Sequence, residues 1–566
     1  MNTMYSHINF LWTQLLVEEL IRNGINQFFI SPGSRSTPLT LAAAYNTKAQ
    51  CTVHFDERGA GFAALGYGQA TGKPAVLICT SGTAAANYFP AVIEASMSRI
   101  PMLIFTADRP PELRDTGANQ TIDQVKLYGS YTRWFQDIAC PSLDIQPEYL
   151  LTTIDQAIYQ TQDNIPGPVH LNCMFREPLA PDNNEIDFSD YLFGISNWSQ
   201  NNEPYTKQQN PILLPEPSKI KSLSGKIMEI TRGIIVCGKV ESDAARESIL
   251  KFAEVISYPV FADITSGLKS DKSPNVINHE LLLDDDKIAD EIKSNIILHF
   301  GGGMISKKLN KWLTEIRPEN YIHIDRHPFR NDPLHIVTER FHCSIESFIN
   351  SLLPLLQKFE PDKLWLNGIV ERYNNNEEKM SGNIEKDSIL SESLVSRLVS
   401  LDINKNSALF LGNSLSIRMM DKYMDKMGPE VPIGFNRGAS GIDGCVATAV
   451  GWSMGLKKSV TLLIGDLSLF HDLNSLAMLK KSDYPISIVV LNNNGSGIFK
   501  YLSIAKQEDV FEKFWLTPHG MTFEKISEQF GLNYYKPSTP DGFISDYNKA
   551  QTSGRQSLIE VIIKSE

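Results

Sequence analysis

Short, largely apolar runs rich in β-branched residues recur along the whole chain, separated by longer stretches of helical periodicity. They are Gln27–Ile30, Ala75–Cys79, Met102–Thr106 and Val169–Asn172; then Gly233–Cys237, Asn295–Phe300 and Tyr321–Asp325; then Ala408–Leu411, Val460–Ile464, Ile486–Leu491 and Leu558–Ile563. A strand with one face in water alternates apolar and polar residues. A run that is apolar throughout is buried on both faces, which is the state of strands in a parallel sheet covered by helices. The expected class is therefore α/β, with parallel sheets flanked by helices. Two polar stretches, Pro181–Ser218 and Asn374–Asp387, read as linkers. They set three expected domains at 1–182, 183–373 and 374–566, each of ordinary domain size.

Composition narrows the partners. The formal charge of −12 excludes a generic nucleic-acid coat and a polybasic membrane binder, so neither partner is expected. The seven cysteines are scattered and form no C-x-x-C pair, as suits a reducing compartment. Met1–Asn9 has no Lys or Arg, and Phe10–Ile21 carries Glu18 and Glu19, so it reads as an amphipathic helix rather than a signal peptide. The apolar stretch Cys445–Leu456 is shorter than the ~20 residues needed to span a bilayer. A soluble, cytoplasmic protein is expected.

The residues that follow the strands are small and polar: SPGSRS after Ile30, TSGT after Cys79, ADRPPE after Thr106, GNS after Leu411, GD after Ile464 and NNNGSG after Leu491. Ligands of open parallel sheets bind outside the carboxyl ends of the strands. Gly465-Asp466 and Asn492–Gly495 stand at successive strand ends, with a helix expected over Leu473–Lys480 between them. A carboxylate, an amide oxygen and a free backbone carbonyl at such strand ends are hard oxygen ligands, which suit Mg²⁺. An N-capping Asp466 and an Asn-Gly turn is the alternative reading. Gly301–Gly303 lacks the G-x-G-x-x-G spacing of a dinucleotide loop and reads as a tight turn. The histidines show no metal-binding spacing, and His471 reads as structural.

Gly-Asp followed 27 positions later by Asn493 resembles the GDG…NN signature of the thiamine-diphosphate-dependent enzymes, although Leu467 stands where the signature has its second Gly. Ser31–Ala42 (SPGSRSTPLTLA), Phe55–Gly66, Thr80–Asn87, Thr106–Gln124 (TADRPPELRDTGANQTIDQ), Phe435–Gly444, Gly465–Leu476 and Asn492–Phe499 together resemble one family among them. That family is the 2-succinyl-5-enolpyruvyl-6-hydroxy-3-cyclohexene-1-carboxylate synthases of menaquinone biosynthesis. The resemblance is dense in the first and last domains and thin in the middle one.

The resemblance implies a thiamine-diphosphate-binding fold of pyrimidine-binding, central and diphosphate-binding domains. It implies Mg²⁺ or Mn²⁺ as metal, with 2-oxoglutarate and isochorismate as substrates. It also implies a homodimer or homotetramer with sites at the dimer interface. Carried over position by position, Glu57 would touch the aminopyrimidine and Ile442 would be the wedge that bends the cofactor. Thr83, Asp466, Asn493, Gly495 and Ile498 would complete the cofactor site, with Asp466, Asn493 and Gly495 on the metal. Ser34, Arg35, Arg109, Gln120, Lys307, Lys308, Ser414, Arg418, Arg437 and Phe499 would hold the substrates, whose carboxylates match the planar fork of Arg. Lys307-Lys308 stands where the family has Lys-Arg. A carboligase using pyruvate, a cofactor-binding paralogue without turnover and a flavin protein are the rival readings.

Overall fold

The computed structural model describes residues 3–384 and 386–563. These form two compact units. One runs up to Pro211 and includes Asn436–Val460 and Leu467–Ile486; the other comprises Ile212–Phe435, Thr461–Asp466 and Ser487 onward.

The first unit holds a six-stranded sheet in the order Gln50–Val53, Gln27–Ile30, Ala75–Cys79, Met102–Asp108, Pro168–Met174, Trp134–Ile138, parallel throughout. A second parallel sheet, in the second unit, runs Val276–Ile277, Val260–Ala262, Ile234–Cys237, Ile296–Phe300, Asn320–Asp325, Glu339–His342. The third sheet runs Ile433–Phe435, Ala408–Leu411, Val460–Gly465, Ile486–Asn492, Ser557–Ile562, Asn533–Tyr535. Every apolar run read from the sequence is a strand, with ends moved by at most two residues. Strand orders that jump back and forth require helical crossovers, which cover the sheet faces.

Both expected linkers need correction. Asn374–Asp387 is not extended: the helix Lys363–Ile384 runs through most of it, and Glu385 lies outside the described residues. The helix persists on a polar stretch because Arg397, itself buried, ties it down by donating to Glu377 Oε1 at 3.0 Å and Ser381 Oγ at 2.5 Å. Asn376 also donates to the Leu281 carbonyl at 3.0 Å. The first half of Pro181–Ser218 belongs to a core: Phe188, Leu192, Ile195 and Trp198 are buried with the first sheet's apolar residues. Leu473–Lys480 is likewise a 3₁₀ turn, Leu473–Ser475, followed by one short helix, Leu476–Leu479.

The first helix, Ile8–Arg22, is buried on nearly all sides rather than amphipathic. Its Glu19 is fully buried, accepting from Trp198 Nε1 at 2.5 Å and from the Tyr205 amide at 2.6 Å. Burial and the neighbouring Asp155 push Glu19 up to about 8. A folded-state value above the unfolded one means that the proton stabilises the fold. This contribution is complete below the ordinary glutamate value of 4.5 and is lost as pH rises through about 8. Relative to Glu19→Gln, the wild-type chain should lose on the order of 1–3 kcal/mol over that window. Urea titrations of both proteins across the window check this; parallel pH profiles would count against it.

The helices Glu57–Thr71 and Cys445–Leu456, both in the first unit, lie backbone to backbone because glycines line the contact. A Cβ on Gly66 would stand 2.0 Å from the Thr448 carbonyl oxygen, and one on Gly451 would stand 1.8 Å from that of Ala63. Neither neighbour is a side chain that can turn away. Gly451→Ala should therefore destabilise the first unit by about 1–3 kcal/mol through overpacking, despite alanine's higher helix propensity. A lowered denaturant midpoint would register it.

Candidate functional site

In the first unit, Glu57 opens the helix Glu57–Thr71, but Asp56 caps it, accepting from the amides of Arg58 at 3.0 Å and Gly59 at 3.5 Å. Glu57 is half-buried, and its charge acts on Cys79 and Tyr88. Burial pushes the Cys79 thiol and Tyr88 hydroxyl up, and the Glu57 charge adds to both. Thr83 starts the next helix, after Gly82 at φ 87°.

A buried polar chain sets the loops around it. Asn172 Nδ2 donates to Asp108 Oδ2 at 2.9 Å, Gln124 Nε2 donates to Asn172 Oδ1 at 2.8 Å, and the Gly82 amide donates to Gln124 Oε1 at 2.9 Å. Arg109 and Gln120 join the same loops. Arg109 donates to Ser81 Oγ at 3.3 Å and to the Asn119 carbonyl at 2.9 Å, and Gln120 Nε2 donates to the Ser81 carbonyl at 3.0 Å. Gln120 adopts φ 56°, a left-handed backbone that non-glycine residues hold only when their surroundings impose it.

Arg35 is buried, donates to the Phe175 carbonyl at 3.0 Å and pairs with Glu177 at 3.3 Å. Burial and the nearby Arg109 charge lower its pKa. Two cations thus face one region, with exposed Ser34 beside them. Such a region attracts carboxylates.

Ile442 lies on the loop before the helix Cys445–Leu456 and is 40% exposed, unlike sheet isoleucines such as Ile104, Ile297 and Ile488, which are fully buried. That exposure departs from the ordinary core role of an isoleucine. Arg437, half-buried, lies on the same loop. His471 accepts from Arg58, through its carbonyl, at 2.8 Å.

The second unit contains the other cluster. Asp466 follows the strand Val460–Gly465 and is buried; its Oδ2 accepts from the Gly495 amide at 2.9 Å and lies 3.0 Å from His519 Nε2. Gly495 has φ 139°, and a Cβ there would stand 2.0 Å from the Leu516 carbonyl oxygen. Asn493 Nδ2 donates to Glu392 Oε1 at 2.8 Å, while Asn493 Oδ1 is buried and has no hydrogen-bond partner among the described residues. A buried acceptor without a partner costs about 1–3 kcal/mol unless a ligand meets it. An amide oxygen, a carboxylate and a glycine carbonyl are the donors a hard divalent cation takes, so these residues fit one. Ile498 and Phe499 follow on the 3₁₀ turn Gly497–Tyr501, both half-buried.

Ser414 precedes the helix Leu415–Tyr423 at φ 68°, and its carbonyl accepts from Arg418 at 2.7 Å. Burial lowers the Arg418 pKa. Lys307 and Lys308 open the helix Lys307–Ile316, where Lys308 pairs with Asp284 and Lys422 shares that carboxylate at 3.1 Å.

The tertiary structure adds residues that sequence reasoning passed over. Glu392 and His519 contact Asn493 and Asp466, and Glu94 and Asp472 hold backbone amides near Ile442. Their one sequence signal is a charged residue inside an otherwise apolar or small-residue stretch. One group that sequence spacing does not reveal contains a histidine. His279, Glu280 and Asp421 place ligand atoms within 4.8 Å of one another, although Lys269 already pairs with Asp421 at 3.2 Å.

The first unit thus carries a glutamate at a helix start after a strand end, and the second carries a carboxylate, an amide and a strained glycine on its strand-end loops; comparison with known proteins gives the class. Residues 12–127 match the family model "Thiamine pyrophosphate enzyme, N-terminal TPP binding domain", residues 189–411 "Middle domain of thiamine pyrophosphate" and residues 419–561 "Thiamine pyrophosphate enzyme, C-terminal TPP binding domain". The chain is a thiamine-diphosphate-dependent enzyme. It is 41% identical to the 2-succinyl-5-enolpyruvyl-6-hydroxy-3-cyclohexene-1-carboxylate synthase of Rubrobacter xylanophilus, over 98% of this chain and 95% of that one. The synthases of Prosthecochloris aestuarii and Salinibacter ruber are each 41% identical as well, over 98% of this chain and 95% and 93% of theirs. The chain belongs to this synthase family.

Proposed function

We propose that the protein joins the four-carbon unit of 2-oxoglutarate, after loss of CO₂, to isochorismate, giving 2-succinyl-5-enolpyruvyl-6-hydroxy-3-cyclohexene-1-carboxylate for menaquinone synthesis. The observation that carries the reading to this chain's own residues is the partnerless, buried Asn493 Oδ1 in the same strand-end loop as Gly495, whose amide bonds Asp466. In this reading Asp466, Asn493 and the Gly495 carbonyl hold Mg²⁺ or Mn²⁺ and, through it, the diphosphate. Ile498 and Thr83 line the cofactor, Glu57 hydrogen-bonds its pyrimidine, and Ile442 sets its bend. When bound, thiamine diphosphate supplies the electron sink that lets CO₂ leave a 2-oxo acid.

Substrate choice follows from charge. Each substrate brings two carboxylates, and a buried unpaired carboxylate costs several kcal/mol. Arg35, Arg109, Arg418 and Arg437, with Lys307 and Lys308, exceed what a monocarboxylate such as pyruvate would need. Ser414 and Arg418 hold the donor's distal carboxylate; Arg35 and Arg109, with Ser34 and Gln120, hold isochorismate; Phe499 packs on the substrate side. The first 182 residues bind the pyrimidine and those from 374 the diphosphate, in a homodimer or homotetramer in the cytoplasm, with each site completed by a partner chain. Among the described residues, no helix is long and apolar enough to cross a membrane.

The test is product analysis by mass spectrometry with 2-oxoglutarate, isochorismate, thiamine diphosphate and Mg²⁺, beside the same mixture with pyruvate as donor. The succinyl adduct should form and the pyruvate mixture should give little product. Equal use of pyruvate would overturn the substrate assignment.

A further inference from the structure

The loop that carries Arg437 and Ile442 is mostly half-buried and contains no regular structure, yet the proposed function needs Ile442 at a defined place. Two buried carboxylates of the first unit bracket it. On one side, Glu94 reaches out from the helix Phe89–Ser98 and is only 3% exposed. Its Oε1 accepts from the Gly438 amide at 2.6 Å, and its Oε2 accepts from the amides of Ala439 at 2.6 Å and Ser440 at 3.3 Å. Ser98 Oγ adds a fourth donor at 2.7 Å. On the other side, Asp472 accepts from the Val446 and Ala447 amides at 2.8 and 3.1 Å.

The Glu94 arrangement is costly to build unless it positions something. Taking a carboxylate out of water is offset only when its acceptor sites are filled, and here backbone amides of an irregular loop fill them. Two contacts at 2.6 Å are in the short range of charge-assisted hydrogen bonds. The loop is also pressed against the same helix: a Cβ on Gly438 would stand 2.7 Å from Ser98 Oγ and 2.8 Å from the Glu94 carbonyl oxygen. Ser440 adopts φ 62°, a conformation that the surrounding contacts must enforce.

We propose that Glu94 is a positioning residue: its buried carboxylate holds the 438–440 backbone and so sets where Ile442 and Arg437 stand. This rests on the proposed function, in which Ile442 sets the cofactor's bend. A side chain supported from behind by a fixed hydrogen-bond frame reproduces its geometry in every molecule; one on an unsupported loop does not.

Glu94→Gln separates hydrogen bonding from packing. It keeps the volume but replaces one acceptor oxygen with an amide that would face donors. The wild-type and variant proteins would be loaded with thiamine diphosphate and Mg²⁺. Cofactor affinity is read by calorimetry, hydrogen exchange at C2 of the bound cofactor by quenched NMR, and the KM for 2-oxoglutarate by steady-state kinetics. Exchange should fall by about tenfold or more, with cofactor affinity changed less than about threefold and the thermal midpoint nearly kept. Gly438→Ala, which lifts the same loop while leaving the carboxylate in place, should give the same split, and it decides the matter if Glu94→Gln does not fold. Wild-type exchange in both variants would overturn the inference and leave the proposed function standing. Absence of exchange in the wild-type protein itself would overturn the proposed function and this inference with it.

Discussion

Asp466→Ala is expected to weaken metal-dependent binding of thiamine diphosphate by more than about 100-fold, which is the loss that follows removal of a charged ligand from a hard-cation site. Asp466 is the carboxylate of the proposed donor set; Asn493 and the Gly495 carbonyl are neutral, so the substitution removes all of the set's negative charge. It also removes the acceptor that faces the Gly495 amide and His519 Nε2. Gly495 then loses the bond that aims its carbonyl, so two of the three ligands suffer together. Losing these bonds costs about 1–3 kcal/mol of stability, an amount that a chain with several large apolar cores withstands. The variant should therefore fold in the absence of cofactor and fail to bind it. Calorimetry with Mg²⁺ present, beside far-ultraviolet circular dichroism, makes the comparison. Unchanged cofactor affinity would remove Asp466 from the metal site.

Glu57→Gln should act on the reaction more than on binding. Turnover is expected to fall by about 10²–10⁴-fold, the range for a lost proton-transfer group, with cofactor affinity reduced less than about tenfold. The local structure separates the two effects. Asp56 caps the helix, so neutralising Glu57 leaves the helix start intact. Cys79 and Tyr88, on which its charge acts, are held protonated chiefly by burial, which the substitution leaves in place, so neither can take over its proton chemistry near neutral pH. Glutamine keeps the shape and one hydrogen bond but has no ionisable carboxyl proton. Single-turnover kinetics and calorimetry on the same preparation resolve the two quantities; near-normal turnover would exclude the role.

How much of this was legible in the amino-acid sequence divides along burial. The strands read from sequence are those with helices on both faces, where every residue must be apolar. Most of the strands missed are the sheet edges: Gln50–Val53, Trp134–Ile138, Val276–Ile277, Glu339–His342, Ile433–Phe435 and Asn533–Tyr535. An edge strand is paired on one side and partly wet, so its residues carry no uninterrupted apolar signature. Polar composition was equally ambiguous for Asn374–Asp387. Without a partner its Asn and Glu residues favour solvent; with Arg397 and the Leu281 carbonyl to bind, they stay helical.

The candidate site divides in the same way. Residue type and strand-end placement were enough to mark Asp466 and the Asn492–Gly495 loop as hard oxygen donors, with an N-cap and an Asn-Gly turn as the alternative; Glu57 and the arginines were marked by the resemblance of their motifs to the synthase family. Residue type and spacing also determined the α/β class. What sequence alone left open is every relation between residues distant along the chain. That Asp56 and not Glu57 caps the helix, that Asn493 Oδ1 stays without a partner while its nitrogen meets Glu392, and that Glu94 holds the loop before Ile442 were decided only in the tertiary structure. The physical reason is the range of the forces involved. Apolar periodicity and turn chemistry act between neighbours along the chain and leave their mark on composition. A hydrogen bond spanning 344 residues depends on a distance of a few ångströms that exists only once the chain has folded.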